Sequence, residues 1–277
     1  MEKKYSVLMS VYYKENPSWF DKSIKSMLDQ TIKPSEFVLV EDGPLTDELD
    51  KVVEKYENTY PNIFKIIKLP KNVGLGPALK RGVEECKYDW IARADSDDIS
   101  VHNRIEKQFD RIFENKKIDF IGANHIEFID DVSNINSYVY KKLPINYEDI
   151  VSYSKKRNPF SHSVVLMKKE AVINCGNYRK FHLVEDYDLW LRMIKNGCYC
   201  ENIDEYLSYV RISNDLYKRR GGIKYLKSMN TFKWEQYKND YFTLNDYIKS
   251  IIPHIVVCLL PNKIREFIYK KLLRNDK

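Results

Sequence analysis

Over the first hundred residues, short apolar runs alternate with stretches whose apolar positions recur at helical spacing. Tyr5–Val11, Glu36–Val40 and Ile63–Leu69 are β-branched or apolar runs of strand length. Asp89–Asp98 reads as a short buried strand that runs straight into three carboxylates within four residues. Between these runs lie three amphipathic patterns. The first carries Phe20, Ile24, Met27 and Leu28; the second Leu49, Val52, Val53 and Tyr56; the third Ala78, Leu79, Val83 and Cys86. Ser18 to Asp21 opens the first in the manner of a capping box, and Thr46 caps the second. The pattern predicts β-α-β-α-β-α-β with short connections: an α/β fold on a parallel, doubly wound sheet.

Further along, His102–Asn115 predicts an amphipathic helix, and Ile118–Ile121 and Glu127–Ile129 two further strands. The stretch between Asp130 and Tyr153 reads as an irregular excursion. Ser163–Met167 predicts a strand, with His162 at its entrance as a hydrogen-bonded structural residue. Val184–Met193 predicts a helix with Leu189, Trp190, Met193 and Ile194 on one face, stopped by Asn196-Gly197. Lys224–Tyr247 predicts another helix, and Ile248–Leu260 is an apolar run broken by Pro253 and Pro261. Asn262–Arg274 then sets Ile264, Phe267, Ile268 and Leu272 among Lys263, Arg265, Lys270, Lys271 and Arg274. That pattern fits a helix lying on an anionic membrane, or a terminal helix docked on the domain.

In an open parallel sheet, ligands bind outside the carboxyl ends of the strands. The conspicuous polar residues of the first four units all fall there: Tyr12, Asp42, Asn72 with Gly74, and Asp95 to Asp98. Carboxylates packed as closely as Asp95, Asp97 and Asp98 repel one another, and a divalent cation with oxygen ligands relieves that repulsion. A solvated loop in which Asp97 or Asp98 caps the next helix is the plainer alternative. Asp42-Gly43 also suits a simple turn, and Asn72-Val73-Gly74 a helix entry. Neither GxGxxG after the first strand nor a GxxxxGK[ST] loop is present. Glu185 and Asp186 fall on the first turn of their predicted helix, where the helix dipole favours one acid more readily than two.

Composition narrows the picture further. With 43% hydrophobic and 31% charged residues over 277 positions, the chain is globular and long enough for one large domain with an appendage. The net charge of +6 sits late, in Lys218-Arg219-Arg220 and from Lys263 onward, which suits phosphate groups or anionic lipid. These basic residues are not interleaved with aromatics in an RNA-binding pattern, so no nucleic-acid partner is expected. Five cysteines without a disulfide framework imply a reducing, cytoplasmic setting, and Cys198-x-Cys200 lacks a second pair that would make it a metal site. Tyr5–Val11 is too short for a signal peptide, and no run reaches transmembrane length.

The segments YSVLMSVYYKENP, FVLVEDGP, KNVGLGPALKRG, DWIARADSDDIS followed by Arg104, NPFSHSVVLMKK, VEDYDLWLRM and YKRRGG occur in that order over residues 5–222. Together they resemble the inverting family 2 glycosyltransferases of GT-A fold, in particular those of bacterial exopolysaccharide, capsule and O-antigen synthesis (the amylovoran type). The resemblance implies a metal-dependent transfer from a nucleotide diphosphate sugar, usually UDP-linked, to a saccharide or lipid-linked acceptor. By that resemblance Tyr12, Glu41 and Asp42 hold base and ribose, while Asn72 with Lys80 or Arg81 lines the nucleotide pocket. Asp97 is the direct ligand of Mn²⁺ or Mg²⁺, with Asp95 nearer the ribose or sugar and also counted in the metal motif. Asp186, beside Glu185, matches the catalytic base, and Arg219 and Arg220 close over the diphosphate. One departure stands out: many relatives carry a histidine after the late strand, and Tyr209 to Ser213 contains none. The division expected is a catalytic domain over 1–222 and a helical extension over 223–277, peripheral on the inner face of the membrane or packed on the domain. The rival readings are a nucleotidyltransferase acting on sugar phosphates and a non-catalytic subunit of a polysaccharide assembly.

Overall fold

The structure is a computed structural model, and it describes residues 2–212 and 221–260. The first half follows the predicted alternation: β1 (Ser6–Val11), α1 (Pro17–Leu28), β2 (Glu36–Glu41), α2 (Asp47–Thr59), β3 (Phe64–Lys68), α3 (Leu75–Glu85) and β4 (Trp90–Arg93). The strands lie in the order β3-β2-β1-β4, all parallel, so their carboxyl ends share one edge. Along β1 the side chains alternate between two dry layers. Leu8 joins Val38, Leu79, Val83 and Ile91 on one face of the sheet, while Val7 and Met9 join Phe20, Ile24, Phe37 and Leu49 on the other. Asn16, not Ser18, caps α1: its side chain accepts from the Ser18 and Trp19 amides at 2.9 and 3.2 Å, with Pro17 in the first turn. Thr46 caps α2 as expected.

The second half continues the sheet with mixed polarity. It comprises β5 (Ile99–Ser100), α4 (Arg104–Glu114), β6 (Ile118–Phe128), β7 (Val139–Lys141), α5 (Tyr147–Ser154), β8 (Leu166–Lys168), α6 (Lys169–Asn174), α7 (Glu185–Lys195), β9 (Tyr199–Arg211), α8 (Gly222–Lys238) and α9 (Leu244–Leu259). From β4 the sheet runs on through β8, β6, β9 and β5, with β8 antiparallel to both β4 and β6, and β6 parallel to β9. Ile118–Ile121 and Glu127–Ile129 are parts of one continuous strand rather than two. Between them Asn124 is buried and satisfied. Asn124 donates to Asp204 and accepts from the Leu143 amide, and Gly122 lets Asn202 and Phe160 approach where a side chain would collide. The stretch after Asp130 is not irregular: it holds β7, paired with β6, and α5, capped by Asn146. The predicted strand at Ser163 begins with a 3-10 turn over His162–Val164 and is a strand only at Leu166–Lys168.

Lys224–Tyr247 is two helices, not one. Asp240 in the left-handed region (φ 56°) ends α8, and a capping box between Thr243 and Asp246 opens α9. Pro253 does not break the second helix but lies inside it. Proline lacks an amide donor and opens the turn before it. Lys233 of α8, fully buried, donates to the Ser250 carbonyl in that turn at 2.6 Å. Val184, Tyr187 and Leu191 of the α7 region pack against Tyr225, Met229 and Phe232 of α8 and Ile251 and Cys258 of α9. α7 is thus held between the sheet, where Trp190 stacks on Phe120 at 5.4 Å, and the α8–α9 pair.

Burial pushes the Lys233 ammonium down to about 7. A lysine whose folded pKa lies below its unfolded value leaves the unfolded chain holding more protons between the two. Stability therefore rises with pH from about 7 toward 10.5, and the cost of the buried charge is greatest at and below neutrality. Lys233→Met removes that cost and loses one hydrogen bond. We expect a net gain of about 2 kcal/mol at pH 7, or roughly 5 °C in melting temperature. The gain should shrink toward pH 10 in thermal melts followed by circular dichroism. A variant no more stable than the parent at pH 7 would show that Lys233 is not carried as a buried cation.

Candidate active site

The acidic turn after β4 is fixed from below by α1. Ser23 donates to the Asp95 carbonyl at 2.6 Å, Ser26 accepts from the Ser100 amide, and Gln30 donates to the Val101 carbonyl. Neither Asp97 nor Asp98 caps the next helix, because β5 intervenes and α4 starts only at Arg104. Three guanidiniums surround the turn instead. Arg104, wholly buried, donates to the carbonyls of Arg93, Ser163 and Val165, to Ser100 Oγ and to Gln108 Oε1, which uses all five of its N–H groups. Arg93 pairs with Asp95 and donates to His162 Nε2 at 3.3 Å; the Tyr178 hydroxyl lies 2.9 Å from the same nitrogen. Burial and the Arg93 charge depress His162 to about 3, so it is a neutral acceptor with its proton on Nδ1. His162 is thus the hydrogen-bonded residue expected. Arg211, at the end of β9, lies over Trp19 and Phe128 at 4.1 and 4.5 Å and donates to the Asp97 carbonyl, while its amide donates to Asp98.

The three carboxyls consequently differ. Burial raises Asp95, but the adjacent Arg93 charge and the Arg93 hydrogen bond outweigh it and hold Asp95 below its ordinary value. Burial, then the charges of Glu15 and Asp95, push Asp97 up to about 7 against the pull of Arg211. Asp98, buried beside Asp97 and Asp95, is raised furthest and is committed to the Arg211 amide at 2.7 Å. Glu15 comes from the loop after β1 and is tied to the turn by Ser96, whose hydroxyl donates to it at 2.5 Å.

The neighbouring strand ends carry the expected nucleotide-side residues. Tyr12 is exposed just beyond β1, its ring edge-on to Tyr13. Asp42 is buried, and its two oxygens accept the Val73 and Gly74 amides at 2.7 and 3.0 Å; Asn72 donates to the Asp42 carbonyl. The Asp42 turn and the entry to α3 are therefore one structure, and both plainer alternatives for these segments hold as well. Gly43 (φ 91°) permits the contact, since a Cβ there would sit 2.6 Å from the Asn72 nitrogen. Glu41 is buried with Lys68 at 3.4 Å, and burial raises it. Lys80 is exposed on the second turn of α3. Arg81 pairs with Glu85 at 2.6 Å, further from the strand ends, so the structure does not bring it to the other residues of this group. Arg219 and Arg220 lie outside the described residues.

The second acidic centre is the first turn of α7. Glu185 is buried against α3, where Gly76 has no room for a side chain: a Cβ would meet the Arg179 carbonyl at 2.3 Å and Glu185 Cβ at 3.3 Å. Burial, then the charges of Asp186 and Asp95, raise Glu185 to about 8, so it keeps its proton at neutral pH. Asp186 is half-buried and accepts from Asn158 Nδ2 at 2.6 Å. The two acidic centres, far apart in sequence, thus lie close enough for the Asp95 charge to act on Glu185. One turn on, Asp188 is fully buried between Arg179 and Arg192, and Arg179 also reaches Glu235 of α8 at 2.8 Å. Arg93, Arg211, Glu15 and Asn158 were not singled out by the sequence reading. Arg93, Asn158 and Glu15 lie inside the motifs quoted there, whereas Arg211 reaches the turn only through the fold.

Among the described residues no three His, Cys, Asp or Glu side chains converge into a cage for a metal ion. After the late strand, where the resemblance leads one to expect a histidine, this chain has Arg211. Asp98 is occupied and Asp95 is shared with Arg93, which leaves Asp97 as the available carboxylate. Such a donor set fits a hard cation that takes one or two carboxylates and completes its shell with water and phosphate oxygens, as Mg²⁺ commonly does. Cys175 and Cys198 lie 3.8 Å apart, and all five cysteines are buried free thiols. A cavity of about 370 Å³ lined by Trp90, Phe113 and Lys168 opens at the start of β4, the end opposite the acidic turn.

Comparison with known proteins identifies the family and the fold. The profile of Glycosyl transferase family 2 matches residues 6–176. An Escherichia coli protein, UDP-Gal:alpha-D-GlcNAc-diphosphoundecaprenol beta-1,3-galactosyltransferase, is 38% identical over 271 residues, covering 98% of this chain and 97% of its own. The amylovoran biosynthesis glycosyltransferase AmsE of Erwinia amylovora is 33% identical over 268 residues, covering 96% and 98%. Among solved structures, the mannosyltransferase PcManGT of Pyrobaculum calidifontis in complex with GDP-Man and Mn²⁺ superposes with a TM-score of 0.66 at 12% identity, covering 95% of this chain and 71% of that one. Residues 1–349 of S. aureus TarS in complex with UDP-GlcNAc give 0.64 at 15% identity, covering 91% and 71%. At those identities the structures speak to the fold alone, which is the GT-A fold expected. The family match and the close relatives go further: the chain belongs to glycosyltransferase family 2 and is a glycosyltransferase.

Proposed function

We propose that the chain transfers the sugar of a UDP-sugar, with inversion, to the saccharide of a lipid-linked acceptor in bacterial surface polysaccharide synthesis. The observation that supports this most directly is the approach of two acidic centres, Asp95–Asp98 after β4 and Glu185–Asp186 on α7. In-line displacement at an anomeric carbon needs the leaving diphosphate and the base on opposite sides of the sugar, and two separate centres meet that need. The donor and acceptor classes are supported by the Escherichia coli relative, named for UDP-Gal and a diphosphoundecaprenol-linked GlcNAc. A nucleotidyltransferase working at the same edge would leave the α7 acids without a task.

In this reading Tyr12, Glu41 and Asp42 hold base and ribose, the last through the loop it clamps, and Asn72 and Lys80 belong to the nucleotide side. Asp95, fixed by Arg93, faces ribose and sugar. Asp97, with Asp95 beside it, holds Mn²⁺ or Mg²⁺. When bound, the ion offsets the charge that gathers on the departing diphosphate. Arg219 and Arg220 cover the phosphates. Asp186, held by Asn158, takes the proton of the acceptor hydroxyl as it attacks, and protonated Glu185 keeps a second negative charge away from it. Residues 1–222 carry the chemistry, and 223–277 keep it at the inner face of the membrane as a peripheral protein.

Metal removal tests the first centre. Dialysis against EDTA should abolish UDP release from the donor with acceptor present, and Mn²⁺ or Mg²⁺ should restore it. Asp97→Asn should lower turnover on the order of 10³-fold with an unchanged melting temperature. Full activity after exhaustive dialysis would exclude the ion.

The base is tested by Asp186→Asn, which keeps size and removes basicity. Turnover should fall about 10²–10⁴-fold while the donor dissociation constant stays put, because the nucleotide side is untouched. Glu185→Gln mimics the protonated state and should be mild at neutral pH. Turnover of the parent should decline above about pH 8 as Glu185 ionises, and the Gln variant should lose that decline. Near-normal turnover in both variants would take the base off α7.

A further inference from the structure

α9 carries apolar residues on two faces, and the core uses only one. Ile251 and Cys258 are buried with α7 and α8. On the other side Leu244, Ile248, Ile252, Ile255, Val256 and Leu259 recur at helical spacing, and each is between 39 and 66% exposed. Single exposed apolar side chains are ordinary, but a stripe along a sixteen-residue helix is not. Among the described residues no helix is long and apolar enough to cross a membrane, so an apolar partner has to meet this face along its length. The sequence that follows directly, 261–277, carries Lys263, Arg265, Lys270, Lys271, Arg274 and Lys277 against only Glu266 and Asp276. Apolar surface beside such an excess of cations complements anionic lipid. A second copy packed stripe to stripe would instead bring two cationic segments together.

We propose that this face of α9 lies in the interfacial layer of an anionic bilayer, with Ile252 and Val256 near its centre. The inference rests on the lipid-linked acceptor proposed above and names the surface that reaches it. α9 packs in one cluster with Val184 and Tyr187, which flank Glu185 and Asp186. The helix that meets lipid is therefore a single packing layer from the carboxylates that meet the acceptor. Deleting the chain from Ile248 would also strip Ile251 and Cys258 from the core, so the test uses substitutions.

Full-length protein should float with vesicles of mixed phosphatidylglycerol and phosphatidylcholine, bind phosphatidylcholine vesicles weakly, and lose binding as salt is raised. Ile252→Asp with Val256→Asp should lower partition to the mixed vesicles at least about tenfold, with an unchanged melting temperature and unchanged turnover on a water-soluble acceptor. Lys270→Glu with Lys271→Glu should weaken binding less, and only at low salt. Three results would each overturn the proposal: a parent that ignores the mixed vesicles, a stripe variant that floats as the parent does, or one that converts a dimer to a monomer in light scattering. Loss of the enzymatic reading would appear separately, as absence of sugar transfer by the parent in any vesicle.

Discussion

Everything at this site depends on keeping Asp95, Asp97 and Asp98 together out of bulk water. Burial alone would protonate all of them, and mutual repulsion would open the turn. Guanidiniums and fixed dipoles resolve the conflict unequally. Arg93 takes Asp95, the backbone of Arg211 takes Asp98, and Asp97 is left with an elevated pKa and, among the described residues, no side-chain partner. The three carboxyls thus differ in role: one is anchored, one is spent on structure, and one remains for the cation proposed above. Arg104 touches none of the three, yet it joins the carbonyls of β4 and of the segment leading into β8, and so sets where the turn begins.

The opposite wall is built by a different device. α7 has to hold two acids on its first turn while lying against an apolar sheet face. Its inner side gives Leu189 and Trp190 to the core, and its outer side gives Tyr187 and Leu191 to α8 and α9. Asp188, buried between Arg179 and Arg192, locks the helix to the loop before it, and Asn158 fixes the orientation of Asp186. The last two helices are thus more than an appendage, since they complete the packing of the helix that carries the proposed base.

The parallel half was legible because its rules are local. Strand, helix and edge each left a period in the sequence, and the polar residues of four separate units fell on the same edge. The antiparallel half hid its elements where polar residues are buried with distant partners, as at Asn124 and Gly122 in β6, or where a helix is only two turns long, as α5 is. The acids of the site were visible as clusters and through the family resemblance. The counter-charge of Arg211 and the added repulsion of Glu15 were not, because both reach the acidic turn from segments remote from it in sequence. Pro253 misled for a related reason: a lysine from another helix donates within the turn that proline opens.

The separation between Asp98 and Arg211 also bears on how the molecule acquires its activity. The β1–β4 units close through contacts short in sequence, whereas the amide that holds Asp98 comes from a position 113 residues later. Loops of that span close late, after local units have formed. A chain leaving the ribosome can therefore lay down the nucleotide edge well before the acidic turn is braced, and β9 must be added before the turn takes its final charge state. The order of assembly keeps the three carboxyls from reaching their final charge states until β9 is in place.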